Sequence, residues 1–185
     1  MTEKINPKWS DVKRVLQSLD ENGLRQLVGD LYKLSAGNRE FLAARLLNVQ
    51  TNEMLEIYRK RIVHEFFPPR GLGQPKLSVA RRVVSDYRKA TGNLIGTLDL
   101  MLTYIETGTE YTNTYGDLWE GFYSSMESML DAVADLLLKQ PDLYNEVNTA
   151  QRLTQLQYNA SSIGWGYGDY VSERVDEIQE RFDDQ

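Results

Sequence analysis

Apolar residues recur along most of the chain at the three- and four-residue spacing of amphipathic helices. The pattern is clear in residues 12–19 and again in 24–34, where leucine and valine fill one face of each segment. Short polar breaks at 20–23 and 35–38 separate these segments. The spacing therefore predicts a series of short antiparallel helices in the first sixty or so residues.

A proline- and glycine-rich segment at 67–75 interrupts this pattern. It holds three prolines and two glycines, which a helix interior does not tolerate. Residues 108–116 are threonine-rich and polar, and we expect a second linker there. The helices predicted after the first break cover about 77–89, 93–107 and 117–139, with another ending near 159 and a last one beginning at 169.

The chain is predicted to be an all-α protein of seven to nine helices. Short antiparallel helices form its N-terminal part and a helical bundle its C-terminal part, since no valine- or isoleucine-rich alternating run indicates a strand. We expect a single helical domain over 1–185. The possible subdomains are 8–66 and 77–185, joined by 67–75.

Composition narrows the class of protein further. The 185 residues include no cysteine, which excludes disulfides, thiolate metal sites and a cysteine nucleophile. No apolar run approaches the roughly 18 residues that a membrane span needs, and the N-terminus lacks the apolar core of a secretory signal. These features predict a cytoplasmic protein with no membrane partner.

Charge is strongly segregated along the chain, although the net charge is only −6. Residues 59–89 hold nine Lys and Arg against two Asp and Glu, a local charge of +7. Residues 99–146 hold ten Asp and Glu against one Lys, a local charge of −9. We call these the basic segment and the acidic segment. Such asymmetry predicts either a charged binding surface or pairing between the two segments.

Three segments carry distinctive gapped motifs. They are F-F-P-x-R-G-x-G at 66–73 with L-S-V-A at 77–80, T-N-T-Y-G-D at 112–117, and I-G-W-G-Y at 163–167. Together they resemble the signatures of an uncharacterised bacterial family, a domain of unknown function, over roughly residues 13–170. The resemblance implies that the three turns belong together in one fold, and it implies no activity.

The basic segment offers a candidate anion site. Glycines before a helix let its N-terminal N–H groups approach a phosphate, and arginines on one helical face extend such a site. We therefore predict an anion or nucleic-acid site made of Arg70, Gly71, Gly73, Lys76, Ser78, Arg81, Arg82 and Arg88. The alternative is that these arginines pair with the acidic segment of the same molecule.

The acidic segment contains a carboxylate stripe, Glu127, Asp131 and Asp135, at four-residue spacing. Such a stripe can bind a divalent metal or perform acid–base work, but it is more often a solvated helix face. The only histidine, His64, lacks partners for a catalytic triad because no G-x-S-x-G motif is present. We expect no metal site, no cofactor and no catalytic residue.

Two turns combine glycine with polar and aromatic residues, which is typical of binding loops. We predict that they contact a partner through Asn113, Tyr115, Asp117, Trp165 and Tyr167. The alternative is structural, with Asp117 capping a helix and Trp165 covering the core.

These features predict a non-catalytic helical interaction or adaptor protein. Its macromolecular partner would be another protein, bound through charged helix faces. One alternative is nucleic-acid binding through the basic segment, and another is an acidic mimic of a nucleic-acid backbone. A metal-dependent enzyme that uses Glu120, Glu127 and Asp131 is the remaining alternative.

Overall fold

The computed structural model describes residues 8–47, 52–69 and 74–183, and in these ranges the chain forms nine α-helices and no strand. The predicted all-α class is therefore confirmed, as is the expected number of helices. The chain divides into two compact units, Met1–Asn48 and Val49–Gln185, which we call the N-terminal and C-terminal units.

Three short helices make up the described part of the N-terminal unit. They are α1 (Trp9–Ser18), α2 (Glu21–Leu34) and α3 (Ala36–Leu46). The carboxylate of Asp20 accepts a hydrogen bond from the N–H of Gly23 at 2.7 Å, and the hydroxyl of Ser35 accepts one from Asn38 at 3.0 Å. These N-caps start α2 and α3 directly after the preceding helix, so the connecting turns are short.

The C-terminal unit contains the remaining six α-helices and one short 3₁₀ helix. They are α4 (Asn52–Phe66), α5 (Leu77–Thr91), α6 (Leu94–Tyr115), α7 (Glu120–Lys139), the 3₁₀ helix (Pro141–Asn145), α8 (Thr149–Ala160) and α9 (Tyr167–Asp183). Helix α6 is the centre of this unit because α4, α5, α7 and α8 all pack against it. Fourteen of its 22 residues are buried, and most of its exposed residues lie in the last two turns.

Helix α6 also corrects the predicted linker at 108–116, which is wrong. The helix continues through the threonine-rich stretch to Tyr115 and ends at Gly116. The threonine hydroxyls donate back to carbonyls one turn earlier, as Thr109 does to Ile105 at 2.9 Å. Gly108 lies against Met126 of α7, where a Cβ would collide with the methionine sulfur. The small and hydroxylated residues therefore allow close helix packing.

The break at 67–75 does not coincide with the boundary between the units. Helix α4 ends at Phe66 as expected, and α5 begins at Leu77. Helix α4 packs against both α5 and α6, with Tyr58, Ile62 and Phe66 in their common core. The two units therefore divide at residue 48, and the proline- and glycine-rich segment joins two helices of one unit.

Aromatic side chains fill the centre of the C-terminal unit. The ring of Phe66 meets Tyr104 edge to face at a centroid distance of 5.3 Å, and it meets Phe122 at 6.3 Å. All three side chains are fully buried. Within the described ranges, no helix combines the length and apolar character that crossing a membrane requires.

Candidate functional site

Asp99 is the one charged residue that lies buried among those the structure describes, with 2% of its surface exposed. Arg59 of α4 binds it with a forked geometry, Nε to Oδ2 at 2.6 Å and Nη2 to Oδ1 at 2.7 Å. Arg152 of α8 binds the same carboxylate, with Nη1 at 2.8 Å from Oδ1. Two guanidinium groups thus share one buried carboxylate and link three helices.

Further carboxylates complete this arrangement at both ends. Arg152 binds both carboxylate oxygens of Glu106, through Nε and Nη2 at 2.7 Å each, and Arg59 also pairs with Glu56. We call Glu56, Arg59, Asp99, Glu106 and Arg152 the buried ion network. Its charges alternate in sign along the network, so each buried charge has an oppositely charged neighbour.

Both arginines of the network hold their protons firmly. The hydrogen bond to Asp99 raises the pKa of Arg59 above its usual value, although burial opposes the shift. Burial likewise opposes the rise in the pKa of Arg152, but Glu106 and Asp99 together outweigh it. Because neither arginine exchanges a proton near neutral pH, both stay positively charged and link α4, α6 and α8 through Asp99.

Arg81 was predicted to bind an anion, yet the structure directs it onto α7. Its Nη1 donates to the carbonyl of Ser125 at 2.7 Å and to the hydroxyl of Ser128 at 2.8 Å. Its guanidinium carbon also lies 5.8 Å from the ring centroid of Tyr104. Arg59 and Arg81 therefore both contact the acidic segment of the same molecule, although Arg81 meets serines instead of carboxylates.

The other described residues of the predicted anion site lie along α5 and at its N-cap. Lys76, Ser78, Arg82 and Arg88 are exposed, and Arg82 pairs loosely with Asp86 at 3.7 Å. Arg70, Gly71 and Gly73 lie outside the described residues. Phosphate binding by the exposed members of this set stays a prediction.

The carboxylate stripe of α7 faces α9. Arg174 Nε lies 3.1 Å from Asp131 Oδ1, and Asp135 is exposed. Burial and the neighbouring charge of Asp131 raise the pKa of Glu127. In the described part of the chain, no three acidic or histidine side chains are grouped closely enough to hold a metal ion. The geometry therefore offers no support for metal-dependent chemistry at Glu120, Glu127 and Asp131.

The first predicted partner-binding turn is largely accessible. Asn113, Tyr115 and Asp117 are all exposed, and Asn113 Nδ2 donates to the carbonyl of Asn159 at 2.8 Å. Asp117 is not a helix cap, because α7 has Trp119 at its N-cap position and no side-chain cap there. The structural alternative for Asp117 is therefore wrong.

The second turn separates its two aromatic residues. Tyr167 is 1% exposed and bonds through its hydroxyl to Thr109 at 2.8 Å, so it belongs to the core. Trp165 is 68% exposed and has a φ of 59°, a left-handed conformation that is rare for a large side chain. The expectation that Trp165 covers the core is wrong, whereas its exposure suits a binding role.

The largest set of candidate contact residues lies in the N-terminal unit. In the described part of this unit, Ala44 alone is buried, while thirteen large apolar side chains expose more than a third of their surface. We call this set the N-terminal apolar face. Its members are Trp9, Val12, Val15, Leu19, Leu24, Leu27, Val28, Leu31, Tyr32, Leu34, Phe41, Leu46 and Leu47.

Sequence reasoning found the spacing of this face but interpreted it as internal packing. Periodicity shows which side of a helix is apolar, and it does not show what covers that side. Size was the missing signal, since about forty residues in three short helices usually bury too little apolar surface to form a stable core of their own.

No protein-family model matches the chain, and neither the curated proteins nor the solved structures provide a match. The resemblance of residues 66–80, 112–117 and 163–167 to an uncharacterised bacterial family therefore stays a prediction.

Proposed function

We propose that this protein is a non-catalytic helical interaction protein that self-associates through its N-terminal apolar face. The observation that carries the proposal is the contrast in burial within the N-terminal unit. Thirteen large apolar side chains are exposed there, against one buried alanine. Exposed apolar surface on this scale is typical of association sites.

Size and composition favour a second copy as the occupant of the face. Units of about forty residues usually depend on disulfides, metals or oligomerisation for a stable core. This chain has no cysteine, and its described residues group no metal ligands. Association with an identical unit would supply the missing core.

The number of residues in the face agrees with such a dimer. A two-fold axis brings the same patch of both copies together, so an apolar face meets an apolar face. Thirteen large apolar residues are about half of the 20–30 residues that each side contributes to a standard interface. Residues 8–47 hold seven Lys and Arg and five Asp and Glu, so two copies repel each other only weakly.

Light scattering after size-exclusion chromatography tests the proposal. The full chain should have about twice its monomer mass of 21.3 kDa. Leu27→Glu combined with Leu31→Glu places two charges in the face and should give a monomer. The control pair, Asn22→Glu and Gln26→Glu, adds the same charge at the same spacing on exposed polar positions of α2 and should stay dimeric.

Three results would overturn self-association. The wild-type chain could remain a monomer at every concentration, or the charged pair could leave the dimer intact. Equal dissociation of both pairs would point to general charge repulsion, since only one pair lies in the face.

A further inference from the structure

A polar groove of about 690 Å³ runs between α6 and α8. The two helices run in the same direction here, because Glu106 bonds Arg152 and Asn113 bonds Asn159, both across 46 residues of sequence. We call this cleft the α6–α8 groove.

The lining of the groove includes an ion pair that joins its two walls, and it carries a slight negative charge. Arg152 cannot receive an anion, because Nη1 binds Asp99 while Nε and Nη2 bind Glu106. Glu110, one turn further along α6, adds an exposed carboxylate. Two carboxylates against one arginine give the lining an excess negative charge, which disfavours phosphate and favours a cationic group.

The α8 wall presents amide side chains at a regular spacing. Gln151, Gln155 and Asn159 line the groove at successive four-residue intervals of α8, and all three are exposed. We call them the amide ladder. Its steps along the helix axis are about 6 Å, at 1.5 Å per residue. Same-side residues of an extended peptide repeat about every 6.6 Å, a close match.

Internal hydrogen bonds already orient this lining. Gln155 Nε2 donates to Asn159 Oδ1 at 2.9 Å, and Asn113 Nδ2 donates to the Asn159 carbonyl at 2.8 Å. The amide nitrogen of Asn159 can then donate outward, while the side-chain oxygens of Asn113 and Gln155 can accept. A peptide backbone offers both complementary groups, and fixed partners reduce the entropy lost on binding.

One end of the groove is held by strained backbone. Val147 and Asn148 have φ values of 50° and 57°, and Asn148 lines the groove just before α8 begins. A β-branched residue seldom adopts this conformation. Strain of this kind is often found where a fold positions residues for binding.

We propose that the α6–α8 groove binds an extended peptide segment of about five residues, with a lysine or arginine side chain directed at Glu110. The amide ladder would bond the peptide backbone, and Glu110 would select the basic side chain. The site lies in the C-terminal unit and does not depend on self-association through the N-terminal apolar face.

Fluorescence anisotropy of the full-length protein with a labelled hexapeptide of alternating lysine and threonine tests this inference. Backbone N-methylation of alternate residues of the same peptide should weaken binding by roughly tenfold, because it removes donors without changing charge. Gln155→Ala combined with Asn159→Ala should weaken binding by a similar factor. Gln140→Ala, an exposed amide outside the groove, should not.

Charge needs its own control because the whole protein is acidic. Glu110→Gln should weaken the binding of the lysine-containing peptide. Glu173→Gln combined with Asp176→Asn, on the exposed acidic side of α9, should leave its affinity unchanged. Thermal unfolding and dimer mass should be unaltered in all these variants, so failure here is separable from failure of self-association.

Four outcomes would overturn the proposal. They are absence of binding, equal affinity for the methylated peptide, an equal loss in the α9 variant, and tighter binding of a single-stranded RNA hexamer than of the lysine peptide.

Discussion

Arg152 Nη1 lies 2.8 Å from Asp99 Oδ1, and the Asp99 side chain is only 3% exposed. This pair connects α8 to the centre of α6, and Arg59 completes it from α4. The basic and acidic segments thus meet inside the fold at Asp99. The basic segment was predicted to bind a partner, but Arg59 of that segment is used to hold the C-terminal unit together.

Replacing the shared carboxylate should be costly. Asp99→Asn leaves two guanidinium groups facing a neutral amide, so the free energy of unfolding should fall by about 3–5 kcal/mol. Asp86→Asn makes the same chemical change in an exposed pair and should cost less than about 1 kcal/mol. Urea unfolding of both variants measures the difference, and similar losses would show that the network does not stabilise the fold.

Adjacent arginines on α5 should behave differently. Arg81→Ala removes a charged donor to Ser125 and Ser128, so we expect a loss of about 2 kcal/mol in unfolding free energy. Arg82→Ala removes a side chain that is 80% exposed and should change stability by less than about 0.5 kcal/mol. Thermal unfolding of the two single variants measures the difference. Equal stability of the two variants would indicate that the Arg81 side chain is free to bind an anion and does not stabilise the fold.

Buried tyrosine should make the protein sensitive to alkali. Burial raises the pKa of Tyr167 above its usual value of about 10, so the unfolded chain releases this proton first as pH rises. Stability is therefore complete below about pH 10 and falls above it, by up to about 1.4 kcal/mol per pH unit for this group.

The tyrosine variants test that slope. Tyr167→Phe should flatten the loss of stability above pH 10. Its hydrogen bond to Thr109 is absent at every pH, so the variant is also weaker at neutral pH. Tyr158→Phe, at a site 76% exposed, should keep the wild-type slope. Chemical unfolding at several alkaline pH values measures it, and identical slopes in all three proteins would contradict the assignment.

Glu127 should destabilise the fold at neutral pH. Burial and the charge of Asp131 raise the pKa of Glu127. The charge of Glu127 in turn contributes to the raised pKa of Tyr167 and Tyr170 in α9. A raised carboxyl pKa means that stability is greatest below the unfolded value of about 4.3 and is lost as pH rises through the folded value.

Glu127→Gln should therefore raise the melting temperature at pH 7 and give no gain near pH 4. Asp135→Asn, which changes an exposed member of the same stripe, should leave the melting temperature unchanged at both pH values. A melting temperature that falls in Glu127→Gln at pH 7 would mean that the charged form is stabilised by a group we have not identified.

Apolar spacing was sufficient to predict the helices and the all-α class, but composition misled at 108–116. Threonine and glycine are typical of linkers in water. Inside α6, the hydroxyl of Thr109 donates a hydrogen bond to the carbonyl of Ile105, and Gly108 leaves space for the side chain of Met126. That advantage exists only once α7 is packed alongside, so a local pattern does not predict it.

The charged residues show a similar limit. Arg59 and Arg152 lie 40 and 53 residues from Asp99 in sequence, so no helical spacing relates them. The opposite charges of the two segments correctly indicated internal pairing as one alternative. They did not distinguish Arg59 and Arg81, which bind the acidic segment, from Arg82, which is exposed. Which arginines remain available depends on how the helices pack.

Hydrogen exchange of the wild-type chain across a range of protein concentrations tests self-association most directly. Amides of α1 to α3 should become better protected as concentration rises, because a second copy covers the N-terminal apolar face. Amides of α6 and α7 should show constant protection, since their core lies within one chain. Protection in α1 to α3 that is independent of concentration would contradict the proposal.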